Sequence, residues 1–159
     1  MDKRLLLDRF MELLQADLST LTQAAAAAHD AATHTESKAE DQYDTRGLEA
    51  SYLAGAQSKR VIELEESLNI YKHVDIKEFN PKTPIASTAV IELECNSKPL
   101  YYLLMPTGGG MKADFDGKII HVITPQSPLG EALLGKKVGD QIEVKIQNIL
   151  RDYDIIGIS

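Results

Sequence analysis

The chain has 159 residues and a net charge of -7, enough for one ordinary domain or two small ones, each with some core. That acidic balance excludes a protein that coats nucleic acid by itself, because phosphate binding needs clustered Lys and Arg. The single cysteine, Cys95, excludes a disulfide framework and a thiolate metal cluster; it suits a reducing compartment and is expected in a strand core.

Met1 to Leu7 mix charge with leucine and lack the apolar run and small-residue cleavage site of a signal peptide. No stretch approaches the roughly 18 apolar residues of a membrane span. A cytoplasmic protein with no membrane partner is expected.

The first element is a helix over about Lys3 to Thr33. Leu6, Phe10, Leu13, Leu14, Asp17 and Leu21 fall at spacings of three and four, and one stripe results. The run Ala24 to Ala28 has the highest helix propensity available and lets another helix approach closely. Thr33-His34-Thr35-Glu36-Ser37-Lys38 is short, polar and rich in cap residues, so it predicts a helix-helix connection. A second stripe follows through Tyr43, Leu48, Tyr52, Ala56, Leu64, Leu68 and Tyr71. At 1.5 Å per residue, two helices of about thirty residues each reach roughly 45 Å. Matched lengths and a short turn predict an antiparallel coiled-coil hairpin, monomeric because each stripe is buried within one chain.

The grain changes near Val74 to Pro84. All six prolines lie beyond Val74, and of the ten glycines only Gly47 and Gly55 precede it. Strands are expected at Ala86–Cys95, Leu100–Met105, Lys118–Thr124, Gln141–Gln147 and Ile155–Ile158. Asn96 to Pro99 is expected as a turn, and Pro106 to Gly117 as a loop. Helices and strands segregate, so the fold class is α+β, with a hairpin domain over 1–76 and a sheet domain over 77–159.

Between the strands, "SPLGEALLGKKVGD" (Ser127 to Asp140) predicts one short helix against the sheet. Ser127 is an N-cap and Pro128 a first helical residue. Leu129, Leu133 and Leu134 share a face, Gly135 ends the helix in the left-handed region, and Gly139-Asp140 turns into the next strand.

Other chemistry is thin. His29 and His34 lack a third metal ligand at a familiar spacing. "TGGGMK" (Thr107 to Lys112) lacks the order of a phosphate loop and predicts a strand connection. Four acids, Glu36, Glu40, Asp41 and Asp44, crowd the expected turn and the start of the second helix, where the helix dipole favours negative charge. They make either a solvated acidic turn or a site that reaches Mg²⁺.

Ser127-Pro128-Leu129-Gly130, Ala132-Leu133-Leu134-Gly135-Lys136 and Gly139-Asp140 together resemble the C-terminal signature of the Gre family of transcript cleavage factors. Arg60-Val61-Ile62-Glu63-Leu64-Glu65 is close to that family's second helix. The resemblance implies an N-terminal coiled-coil hairpin followed by an FKBP-like antiparallel sheet domain with one short helix. It implies RNA polymerase as partner, with the globular domain docked at the rim of the secondary channel through Ser127, Pro128 and Leu129. Gln126 stands where the family often has an acid.

The hairpin is then implied to enter the channel. Glu40, Asp41 and Asp44 would assist the polymerase in cleaving backtracked RNA, meeting the RNA 3′ end only inside that complex. Glu36, Glu40 and Asp41 would help hold Mg²⁺ shared with the polymerase active centre, weakly in the isolated protein. The chain would be an accessory factor, not an enzyme. The family tip is close to Gly-Asp-Leu-x-Glu-Asn-x-Glu-Tyr; here the stretch reads "HTESKAEDQYDTRG", without the Gly-Asp pair. A regulator that occupies the channel without promoting cleavage is the alternative. An isomerase is disfavoured: there is no tryptophan and there are only three phenylalanines to line a proline pocket, and fold does not imply function.

Overall fold

The computed structural model describes residues 1–33 and 46–159. Its elements are α1 (Lys3–Thr33), α2 (Arg46–His73), β1 (Val90–Cys95), β2 (Lys98–Leu104), β3 (Lys112–Phe115), β4 (Lys118–Ile123), α3 (Pro128–Leu133), β5 (Gln141–Ile146) and β6 (Ile149–Ile158). The α+β class holds. The chain divides into two compact units, one of Met11–Lys72 and one of Met1–Phe10 with His73–Ser159.

In the helical unit the apolar spacing does what a stripe requires. Leu64, Ser67 and Tyr71 are buried at steps of three and four along α2, and Leu14 is buried on α1. Ser67 is tolerated there because its hydroxyl donates to the Glu63 carbonyl at 2.9 Å. Further along α1, Ala24, Ala26 and Ala27 are exposed, so that stretch rests on alanine's propensity more than on a core.

The boundary expected at residue 76 differs from the observed division, which assigns the first ten residues to the sheet unit. The reason is local. Leu6, Leu7 and Phe10 are buried. The Lys3 ammonium donates to the Lys77 carbonyl and lies 4.5 Å from the Phe79 ring centre. Burial holds the Lys3 ammonium below its ordinary pKa, against the pull of Glu78. The helix itself starts at Asp2, whose carboxylate caps the Arg4 and Leu5 amides at 3.0 and 3.2 Å.

The sheet has six strands in the order β3-β4-β2-β1-β6-β5. It is mixed where an antiparallel sheet was expected, because β2 and β4 run parallel. The cause is β3, an unexpected strand inside the stretch expected as a loop. It pairs antiparallel with β4 at the sheet edge, and β4 comes back beside β2. Three hairpins turn on residue pairs in the left-handed region, Asn96-Ser97, Asp116-Gly117 and Gln147-Asn148, the twist that two-residue β-turns favour. Lys98 and Pro99, expected in a turn, are the first residues of β2 and pair with Cys95 and Glu94. β6 begins six residues earlier than expected, at Ile149.

Both sheet faces bury apolar residues: Val90, Leu103, Ile120 and Val122 on one, and a larger cluster on the other. Ile91, Leu93, Leu104, Ile123, Ile142, Val144, Tyr153 and Ile155 pack with Leu129 and Leu133 of α3, and Cys95 is half-buried against them. No described helix is long and apolar enough to cross a membrane.

Candidate functional site

The start of α3 is built around one carbonyl, that of Thr124. The Ser127 amide donates to it at 3.0 Å and the Ser127 hydroxyl at 2.7 Å. The same hydroxyl oxygen accepts from the Gly130 amide at 3.1 Å, and Ser127 has extended backbone, the N-cap geometry. Pro128 occupies the first helical position, where it forfeits no hydrogen bond. Gly130 is the residue that lets α3 sit there: a β-carbon on it would stand 2.0 Å from the Thr124 oxygen.

The far end of the segment is equally fixed. Gly135 is left-handed at φ 77 and donates to the Ile85 carbonyl at 2.9 Å, while Ile85 donates to Lys136 at 2.8 Å. The Gly139 amide donates to Ile155, and Asp140 caps the Lys137 amide at 2.8 Å. Every stop between Ser127 and Asp140 therefore has a hydrogen-bonded or conformational cause.

Of the three residues expected to meet a partner, Pro128 is exposed and Ser127 is half-buried with its hydroxyl committed to the cap. Leu129 is only 6% exposed, inside the core cluster. Its part is to hold the helix against the sheet. Pro128 and the neighbouring exposed Gln126 and Glu131 form the accessible surface.

The "TGGGMK" stretch is a strand connection with its Gly110 and Met111 amides in use. Gly110 donates to Val122 at 2.9 Å, Met111 to Gly108 at 3.2 Å, and Val122 donates back to Met111. A β-carbon on Gly109 would lie 3.0 Å from the Thr124 methyl. Thr124 is thus closely approached by two glycines, a relation the sequence reading missed. A glycine at the third helical position, after Ser-Pro-Leu, was the available signal for it.

Glu36, Glu40, Asp41, Asp44 and His34, with the expected turn around them, lie outside the described residues. Among the described residues no three His, Cys, Asp or Glu side chains are grouped to hold a metal ion.

Residues 82–159 match the family described as "Transcription elongation factor, GreA/GreB, C-term". The transcription elongation factor GreA of Xylella fastidiosa (strain 9a5c) is 24% identical over 132 residues, covering 81% of this chain and 77% of that protein. GreA of Thermotoga sp. (strain RQ2) is 28% identical over 105 residues, covering 65% of this chain and 63% of that protein, less than two thirds of its length. Among solved structures, the GreA factor homolog 1 (Gfh1) protein of Thermus thermophilus is 22% identical, with a TM-score of 0.39 and 94% of each chain covered.

Proposed function

Since the chain belongs to the GreA/GreB family of transcription elongation factors, we propose that it binds bacterial RNA polymerase and enters its secondary channel to promote cleavage of backtracked RNA. The observation that carries this reading is the family match over 82–159, which contains the whole α3 segment with Pro128 exposed at its start. In this reading the sheet unit docks at the channel rim around Ser127 and Pro128, with Leu129 holding the helix in place. The helices carry the tip toward the active centre. The polymerase is the catalyst, and the chain, a monomer in the cytoplasm, is its accessory.

The tip supplies carboxylates. Glu36, Glu40 and Asp41 are hard oxygen donors of the kind Mg²⁺ prefers, and bound Mg²⁺ supplies an activated water and a stabilised leaving oxygen for phosphodiester hydrolysis. Clustered carboxylates repel one another, which weakens the site in the isolated chain and calls for the polymerase's own aspartates to complete it. On this reading Glu40, Asp41 and Asp44 assist the polymerase, meeting the RNA 3′ end only inside its complex.

A second reading is favoured by one observation: the tip stretch lacks the Gly-Asp pair of the family pattern. On that reading the chain occupies the channel and regulates it without promoting cleavage. Photo-crosslinking separates both readings from neither. A photoreactive residue at position 128 should capture a polymerase subunit, and one at position 40 should capture the RNA 3′ end in a backtracked complex. Absence of both crosslinks, with the labelled chains folded, overturns the channel proposal.

A further inference from the structure

Ile149 and Leu150 are 56% and 58% exposed at the start of β6, beside the Gln147-Asn148 turn. They rim a cleft of about 640 Å³ between the β5–β6 hairpin and the β1–β2 turn at Asn96-Ser97. The cleft's other charged residues are Glu94, Asp152 and Asp154 against one guanidinium, Arg151. An exposed aliphatic pair at the tip of a hairpin is apolar area that a partner can remove from water.

The charges say which kind of partner fits. In the sheet register Glu94 stands directly opposite Asp154, and Glu143 directly opposite Asp152. Gln141 already donates to Asp154 and Lys145 stands opposite Leu150, yet the four acids outnumber these partners. Like charges at paired positions destabilise a sheet, and a further cation brought alongside relieves the remainder. A second copy of this chain does not fit, because a two-fold contact sets the same patch against itself and carboxylates would face carboxylates. Nucleic acid and anionic lipid are disfavoured by the same sign.

We propose that this hairpin tip is a second docking surface, taken by a protein segment that presents Lys or Arg beside an apolar side chain, and that the segment belongs to the polymerase. The inference rests on the polymerase reading above but uses a different part of the domain. Val90 pairs with Leu103, next to the end of β4 that leads into α3. Cys95, five residues on, adjoins the cleft, about 17 Å away at about 3.3 Å per residue. A partner of polymerase size spans both points.

Binding of the full chain to core RNA polymerase tests this, with each variant's fold checked by circular dichroism. The double variant Ile149→Ser with Leu150→Ser, and separately Glu94→Lys with Asp152→Lys, should each weaken binding by roughly tenfold. The charge pair should also flatten the salt dependence. Unchanged affinity in both variants overturns the second surface, as does a wild-type dimer that the serine variant dissolves. If Pro128→Ala weakens binding while the hairpin variants do not, the second surface alone fails. If wild type does not bind polymerase at all, the parent reading fails with it.

Discussion

The Thr124 carbonyl oxygen lies where a β-carbon on Gly130 would come within 2.0 Å of it. No side chain fits at such a distance from a backbone oxygen, so the helix or the preceding loop must move to admit one. Gly130→Ala should therefore lower the stability of the full chain by about 2–4 kcal/mol in chemical denaturation. Polymerase binding should fall in parallel, since Pro128 is carried by the displaced turn. An alanine variant as stable as wild type would show that the contact yields freely.

Ser127 tests the same turn from its polar side. Ser127→Ala removes the acceptor for the Gly130 amide and one of two donors to Thr124. The expected loss is about 1 kcal/mol. Ser127→Thr, which keeps the hydroxyl, should recover most of it. Equal losses in both variants would assign the effect to packing instead of capping.

Tyr71 gives the helical unit a signature at alkaline pH. It is fully buried, and burial pushes its phenol well above the ordinary value of 10.0. Above pH 10 the unfolded chain therefore releases a proton that the folded chain keeps. Stability falls as pH rises through that range. Urea titrations of wild type and Tyr71→Phe across pH 8 to 11 check this. The wild-type curve should drop more steeply above about pH 10, and parallel curves would contradict the assignment.

Legibility followed how local each cause was. The caps and stops of α3 depend on residues within a few positions, so Ser127, Pro128 and Gly135 could be read in advance. β3 could not be placed as readily. Only Ala113 in it is buried, and the strand sits beyond a glycine-rich stretch. Asp116-Gly117, a strong hairpin signal, was nonetheless present and would have found it. The joining of Met1–Phe10 to the sheet unit was hidden because Leu6 and Phe10 continue the same stripe as Leu14. What separates them is the tertiary anchoring of Lys3 to residues 77 and 79. Of the candidate site, the turn at Ser127 and Pro128 was legible as a turn. Leu129, expected beside the partner contact, is buried in the core, as its place on the apolar face of the helix implies.

Cleavage of backtracked RNA, the activity proposed for this chain, is measured directly on a halted, backtracked elongation complex. Transcript shortening is followed with and without the chain over a range of Mg²⁺ concentrations. Cleavage should be faster with wild type, and the gain should be lost in Glu40→Ala with Asp41→Ala while that variant still competes with wild type for polymerase. Cleavage no faster than polymerase alone at every Mg²⁺ concentration, with binding intact, would contradict it and leave the channel-occupying regulator in its place.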